Sequence, residues 1–109
     1  MNAVDVLAAY LRAYEAKDLD AVADLLTDDV CLQDWHLVAR GKPAVLAETR
    51  RNFADAEHLQ IDVLQFYEGP GCAAATLHIV VNRSVELDVV DTVVTTPDGK
   101  ISAIRAYKA

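Results

Sequence analysis

The sequence predicts an α+β domain in which three N-terminal helices pack on a curved, mainly antiparallel sheet. Two observations carry this expectation. Up to about residue 53 the apolar residues recur at steps of three and four, the period of an amphipathic helix. From Leu59 onward they alternate, rich in β-branched residues and separated by turn residues, as in consecutive hairpin strands. Three helices followed by consecutive hairpin strands make an α+β domain with a mainly antiparallel, curved sheet.

Val4, Leu7, Leu11 and Tyr14 form one apolar stripe and define the first helix, with Tyr10 on the shoulder of that stripe. Asp18 is suited to cap a second helix, whose apolar face is Leu19, Val22, Leu25 and Leu26 and which ends at Thr27-Asp28-Asp29. Val30 to Asp34 reads as a short strand with Trp35-His36 at its exit. Gly41-Lys42-Pro43 opens a third helix, Pro43 being suited to the first helical position, and the helix runs to about Phe53.

Leu59 to Tyr67 is the first long strand, with Leu59, Ile61 and Val63 on one face. Glu68-Gly69-Pro70-Gly71 is a turn, Cys72 to Arg83 and Ser84 to Thr95 are two further strands, and Thr96-Pro97-Asp98-Gly99 turns the chain into a last strand, Lys100 to Tyr107. No repeat, linker or low-complexity segment interrupts the chain, so residues 1–109 are expected to form one domain around one core.

One residue breaks the alternation. In the strand that follows Ser84 the odd positions read Val85, Leu87, Val89, Asp91, Val93, whereas the even positions include Glu86 and Asp88. Asp88 therefore has polar company, while Asp91 places a carboxyl on an otherwise apolar face. A carboxylate in that position either finds a partner, reaches water at the sheet rim, or stays protonated. A neutral carboxylic acid is a hydrogen-bond donor that a site can use.

Hydrophobic residues make up 53% of the chain and charged residues 25%, as in an ordinary globular protein. The formal net charge of −7 excludes non-specific nucleic-acid binding, which needs clustered Lys and Arg; Arg50-Arg51 reads as a solvated helix face. No apolar run reaches the roughly 18 residues of a membrane span, and the N-terminus lacks the basic and apolar segments of a signal peptide. Cys31 and Cys72 fit no metal or redox spacing and read as small buried thiols, which points to the cytoplasm. His36, His58 and His78 show no ligand spacing, so no metal is expected.

The segment Ala9 to Val22, with Leu25-Leu26-Thr27-Asp28-Asp29-Val30 and the ending from Asp91 to Tyr107, resembles the nuclear transport factor 2-like superfamily, which includes ketosteroid isomerases and SnoaL-like cyclases. The resemblance covers nearly the whole chain. It implies a cone-shaped α+β barrel enclosing a pocket, no cofactor, a small hydrophobic ligand and a homodimer. Both faces of the strand from Cys72 to Val81 are apolar enough for one to meet a partner. The scaffold hosts many activities, so the resemblance is specific for fold and less so for reaction.

Within that superfamily the ketosteroid isomerases match best. Their base is an aspartate just after the first short strand, a position held here by Asp34 in Gln33-Asp34-Trp35. Their oxyanion tyrosine lies on the first helix 24 positions earlier, where this chain has Tyr10. Their second oxyanion donor is a protonated aspartate on the penultimate strand, and matching back from Gly99-Lys100 lands on Asp91. Tyr14, Trp35, Phe53, His78, Val89, Ile104 and Ala106 are the corresponding pocket candidates.

The pattern also departs from the family. Trp35 replaces the proline beside the base, and Thr49 or a neighbour stands where a further pocket tyrosine is common. His78 aligns with an aromatic pocket position, yet Leu77, Ile79 and Val81 read as the drier face of its strand, so both placements stand open. Taken singly, Tyr10 reads as a packing tyrosine and Asp34 as a strand-end cap. Their joint occurrence at the family spacing favours a functional site without fixing the reaction. The resemblance implies cofactor-free proton transfer on a hydrophobic carbonyl compound, isomerase or cyclase/dehydratase-like, with Asp34 as base and Tyr10 and Asp91 as donors to the developing enolate. The alternative is a non-catalytic module that binds a small apolar ligand or dimerises.

Overall fold

The computed structural model describes residues 1–109. The elements follow in the order α1 (Ala3–Glu15), α2 (Leu19–Asp24), β1 (Leu26–Gln33), β2 (Val38–Arg40), α3 (Lys42–Asp55), β3 (Leu59–Gly69), β4 (Cys72–Val81), β5 (Val85–Thr95) and β6 (Ile101–Lys108). The six strands form one sheet in the order β2-β1-β6-β5-β4-β3. All neighbours are antiparallel except β1 and β6, which run parallel. The sheet is curved and open, with β2 and β3 as its edges, so helices rather than strand closure complete the cone.

The curvature has local causes. The β3–β4 register shifts between Val63 and Gln65, the β5–β6 register shifts between Val94 and Thr95, and the β1–β6 register shifts between Leu26 and Cys31. Each irregularity bends its strand and increases the local twist. The inner face carries Ala73, Ala75, Leu77, Val89, Val93 and Ile104, all buried against α1 and its neighbours. Val6, Leu7, Tyr10 and Leu11 supply the helical side of that core.

The caps act as expected from the sequence. Asn2 accepts the Asp5 N–H at 2.8 Å, and Asp18 accepts the Ala21 N–H at 3.1 Å. Gly41 enters α3 at φ 88, a region that favours glycine, with Pro43 in the first turn. Glu15 closes the exposed edge of β3 near its start by accepting the Ile61 N–H at 2.7 Å.

Three expectations are corrected. The second helix stops at Asp24, and Leu26 is the first residue of β1 rather than part of a helical face. Leu26 is buried in either role, and its partner Ile101 on β6 draws it into the sheet. The short β2 was not anticipated; three residues carry too little alternation to declare a strand, and it forms by pairing with Cys31, Leu32 and Gln33. Finally, Cys31 and Cys72 are free but only half-buried.

The hairpin between β4 and β5 turns on two adjacent left-handed residues, Asn82 at φ 52 and Arg83 at φ 63, the pattern of a tight turn matched to strand twist. Asn82 also ties this turn to the end of α3. Its Oδ1 accepts the His58 N–H at 3.0 Å and its Nδ2 donates to the Asp55 carbonyl at 3.1 Å. Glycine at either position relieves the backbone, but only at 82 does it remove the clamp. Chemical denaturation should show Asn82→Gly destabilised by roughly 1–3 kcal/mol, and Arg83→Gly unchanged or stabilised.

Candidate active site

A cavity of about 310 Å³ opens between the inner face of the sheet and the helices, and 15 of its 22 lining residues are hydrophobic. That is the size and character of a small-molecule site. Its walls are Leu77, Ile79 and Val81 of β4, Leu87, Val89 and Asp91 of β5, and Ile104 and Ala106 of β6. Tyr10, Leu11 and Tyr14 of α1 close one side, and Thr49, Asn52 and Ala56 along α3 close another. Asp34, Trp35 and His36 line it from the exit of β1.

Strand register dictates where Asp91 points. Val89 and Val93 are 4% and 1% exposed, and the residue between them on the same face must follow them inward. Directly opposite Asp91 stand Ala75 on β4 and Ala106 on β6. Two methyl groups can neither hydrogen-bond nor neutralise a carboxylate, and that of Ala106 also lines the cavity. With no cation or donor beside it, burial pushes the Asp91 carboxyl from its ordinary 3.8 up to about 7.

Tyr10 is 6% exposed, lines the same cavity, and its hydroxyl has no hydrogen-bond partner within the protein. Its phenol is held well above its usual value of 10.0, first by burial and then by Tyr14 and Asp91, so it remains a donor. Tyr14 follows one turn later, its ring centroid 5.7 Å from that of Tyr10. The Tyr14 hydroxyl accepts from Asn52 Nδ2 at 2.9 Å, leaving its own proton free to be donated. Burial raises its pKa too, opposed by the Asn52 bond and reinforced by Asp91, Glu48 and Asp34. These groups are therefore within electrostatic reach of one another.

Asp34 occupies a turn as well as the cavity wall. Its Oδ1 accepts the backbone N–H groups of His36 at 2.7 Å and Leu37 at 3.0 Å, which fixes the carboxylate and leaves Oδ2 uncommitted. Both readings of this residue, strand-end cap and cavity group, thus describe it.

Two pocket candidates lie elsewhere. His78 is on the outer face of the sheet, because it alternates with the buried Leu77; there its Nδ1 meets Asp88 at 2.9 Å and its Nε2 meets Glu86 at 3.0 Å. Those carboxylates raise the imidazole pKa. Phe53 is buried behind the cavity wall, edge-on to Tyr14 at 4.9 Å between centroids, and fills the space between α1 and α3. The other candidates, Tyr14, Trp35, Val89, Ile104 and Ala106, line the cavity. Sequence reading missed Glu48, Asn52 and Asp55, which also line it. The available signal was the stripe Val45, Thr49, Asn52, Ala56 at helical spacing, whose polar members read as solvent-facing. Thr49 itself is 2% exposed and spends its hydroxyl on the Val45 carbonyl at 2.8 Å.

A curved sheet roofed by helices over an apolar cavity is the architecture of the nuclear transport factor 2-like fold. The SnoaL-like domain model matches residues 7–104, and the chain belongs to that family. No curated protein matches it by sequence. Among solved structures, it is similar to a nuclear transport factor 2-like protein of unknown function from Cytophaga hutchinsonii, at 11% identity and TM-score 0.84 over 100% of this chain and 91% of that one. It is similar to a proposed ketosteroid isomerase from Kribbella flavida at 16% identity and TM-score 0.81, covering 96% of this chain and 76% of that one. It is also similar to an epoxide hydrolase of limonene-epoxide-hydrolase-like type from Mycobacterium tuberculosis at 20% identity and TM-score 0.82, covering 98% and 82%. Identities this low establish the shared fold.

The state of Asp91 is directly measurable. Its folded-state pKa lies above its unfolded one, so the native protein retains a proton that the unfolded chain has released. The associated stability is full below about pH 4, declines as pH rises, and is lost above about pH 7. Asp91→Asn should flatten this slope and stabilise the protein at pH 8 by roughly 1–4 kcal/mol. Carboxyl-detected NMR should find a single carboxylate titrating near 7, absent from the variant.

Proposed function

We propose that the cavity is the active site of a cofactor-free enzyme that moves a proton on a hydrophobic carbonyl compound, in the manner of a ketosteroid isomerase. The single observation that carries this reading is the unpartnered Asp91 carboxyl, protonatable near neutrality, in the same cavity as the buried Tyr10 hydroxyl. The substrate carbonyl would accept hydrogen bonds from both. Asp34, through Oδ2, would take a proton from the carbon next to the carbonyl, and the electron pair left behind would be delocalised onto the oxygen as an enolate. The protonated Asp34 would return the proton at the far end of the conjugated system, moving the double bond and restoring the base. Dryness matters to this scheme, since it keeps Asp91 neutral and strengthens its hydrogen bond. Leu77, Leu87, Val89 and Ile104 provide it.

One observation favours a second reading, a non-catalytic binder of a small apolar molecule. The Asp34 carboxylate already holds two backbone N–H groups, as a purely structural turn residue does. Kinetics separate the two. With a 3-oxo-Δ5-steroid as substrate, Asp34→Asn should lose activity by about 10²–10⁴-fold and Tyr10→Phe by a smaller factor. Unchanged turnover in Asp34→Asn would remove it as base.

The outer face of the sheet supports a homodimer. Tyr67, Val94 and Tyr107 are 52%, 49% and 53% exposed around a shallow hollow lined also by Ala74 and Ala103, with Glu68, Thr92 and Arg105 as its polar members, an apolar centre with polar neighbours as at an interface. Light scattering should give twice the chain mass, and Val94→Glu should shift it toward the monomer.

A further inference from the structure

The charges lining the cavity are one-sided. Asp34, Glu48, Asp55 and Asp91 reach it, neither lysine nor arginine does, and His36 is the one basic side chain in the lining. Arg51 pairs with Glu48 from outside the lining: its guanidinium side chain is 67% exposed, whereas that of Glu48 is 12% exposed. Glu48 and Asp34 line the cavity together with the Tyr14 ring. The carboxylates are not grouped as metal ligands. The walls beside them are aromatic, with Tyr10, Tyr14 and Trp35 all lining the same space. Independently of the acidic groups, the Tyr10 hydroxyl, on a residue only 6% exposed, lines the cavity and has no protein partner.

Carboxylates and ring faces around an apolar space are complementary to an organic cation, which gains from the charges and from the π-faces together. An anionic ligand would meet the same carboxylates with no lysine or arginine to compensate. We propose that the cavity selects hydrophobic molecules bearing a protonated amine or quaternary ammonium group, received by Glu48 beside Tyr14 with the Asp34 charge nearby, and rejects carboxylates. This rests on the cavity being a ligand site, as in the proposed function, but not on Asp34 acting as a base. It narrows the substrate class to amine-bearing carbonyl compounds, with the carbonyl at Tyr10 and Asp91 and the ammonium toward α3.

Three compounds of nearly equal shape test it: cyclohexylmethylamine, cyclohexylmethanol and cyclohexanecarboxylate, titrated at pH 7 and followed by calorimetry and by Trp35 fluorescence. The amine should bind about tenfold or more tightly than the alcohol, and the carboxylate should not bind measurably. Glu48→Gln and Asp34→Asn should each cut the amine-to-alcohol ratio by about three- to tenfold. Asp62→Asn, an equal charge change on an exposed residue outside the cavity lining, should leave the ratio intact. A carboxylate that binds as well as the amine, a ratio unmoved in both cavity variants, or binding of none of the three at millimolar concentration overturns the proposal. Amine preference without isomerase turnover would sink only the catalytic reading; turnover without amine preference would sink only this one.

Discussion

Everything distinctive about this molecule depends on strand alternation along β5. Val89 and Val93 must face inward because the core is built on them, and a one-residue slip would expose both along with Leu87. Asp91 is carried to the dry side by that constraint. The sheet makes no local concession to it, since the residues across both neighbouring strands are alanines. A carboxyl so placed destabilises the fold when ionised, and the cost is tolerated only because the apolar register around it is strong. Such unrelieved strain against a general rule is where function is commonly sought.

The rest of the cavity follows from the same geometry. Register shifts accompany the curvature of the sheet, the curved inner face leaves room beneath α1 and α3, and the small side chain of Ala106 keeps part of that room from being filled. Tyr10 and Tyr14 enter from α1 one turn apart. Asn52 enters from α3, and by donating to Tyr14 it sets the direction in which that hydroxyl can give its own proton. Phe53, one residue further on, faces a different way and only buttresses the Tyr14 ring. Adjacent helical residues point about 100° apart, so one lines the site and the next supports it.

Much of this was legible in the sequence, and the omissions have physical reasons. The inward face of β5, the cap at Asp18, the entry to α3 at Pro43 and the hairpin strands all rest on short-range patterns that the fold respects. The start of β1 was misread because Leu25 and Leu26 suit the buried side of a helix or a strand equally, and pairing with β6 decides between them. His78 was undecided for the opposite reason: family position and strand alternation disagreed, and alternation prevailed, with Glu86 and Asp88 waiting on the outer face. The polar wall of α3 escaped notice because Glu48, Asn52 and Asp55 look like any solvated helix face. What makes them cavity residues is the sheet curving up to meet them, a property of distant segments.

The choice of aspartate at 91 bears on both proposals. An asparagine there would fit the same space, avoid the penalty of ionisation, and still donate hydrogen bonds. An acid titrating near 7 offers what an amide does not: a more acidic proton, and so a stronger bond to an oxygen as negative charge builds on it. It also remains able to ionise. A cation in the cavity would favour the charged form of Asp91 and relieve part of the cost that burial imposes, whereas a neutral ligand would leave the acid protonated. Asp91 therefore donates to a carbonyl only while the positive charge stays away from it. An ammonium held at Glu48, on α3, meets that condition.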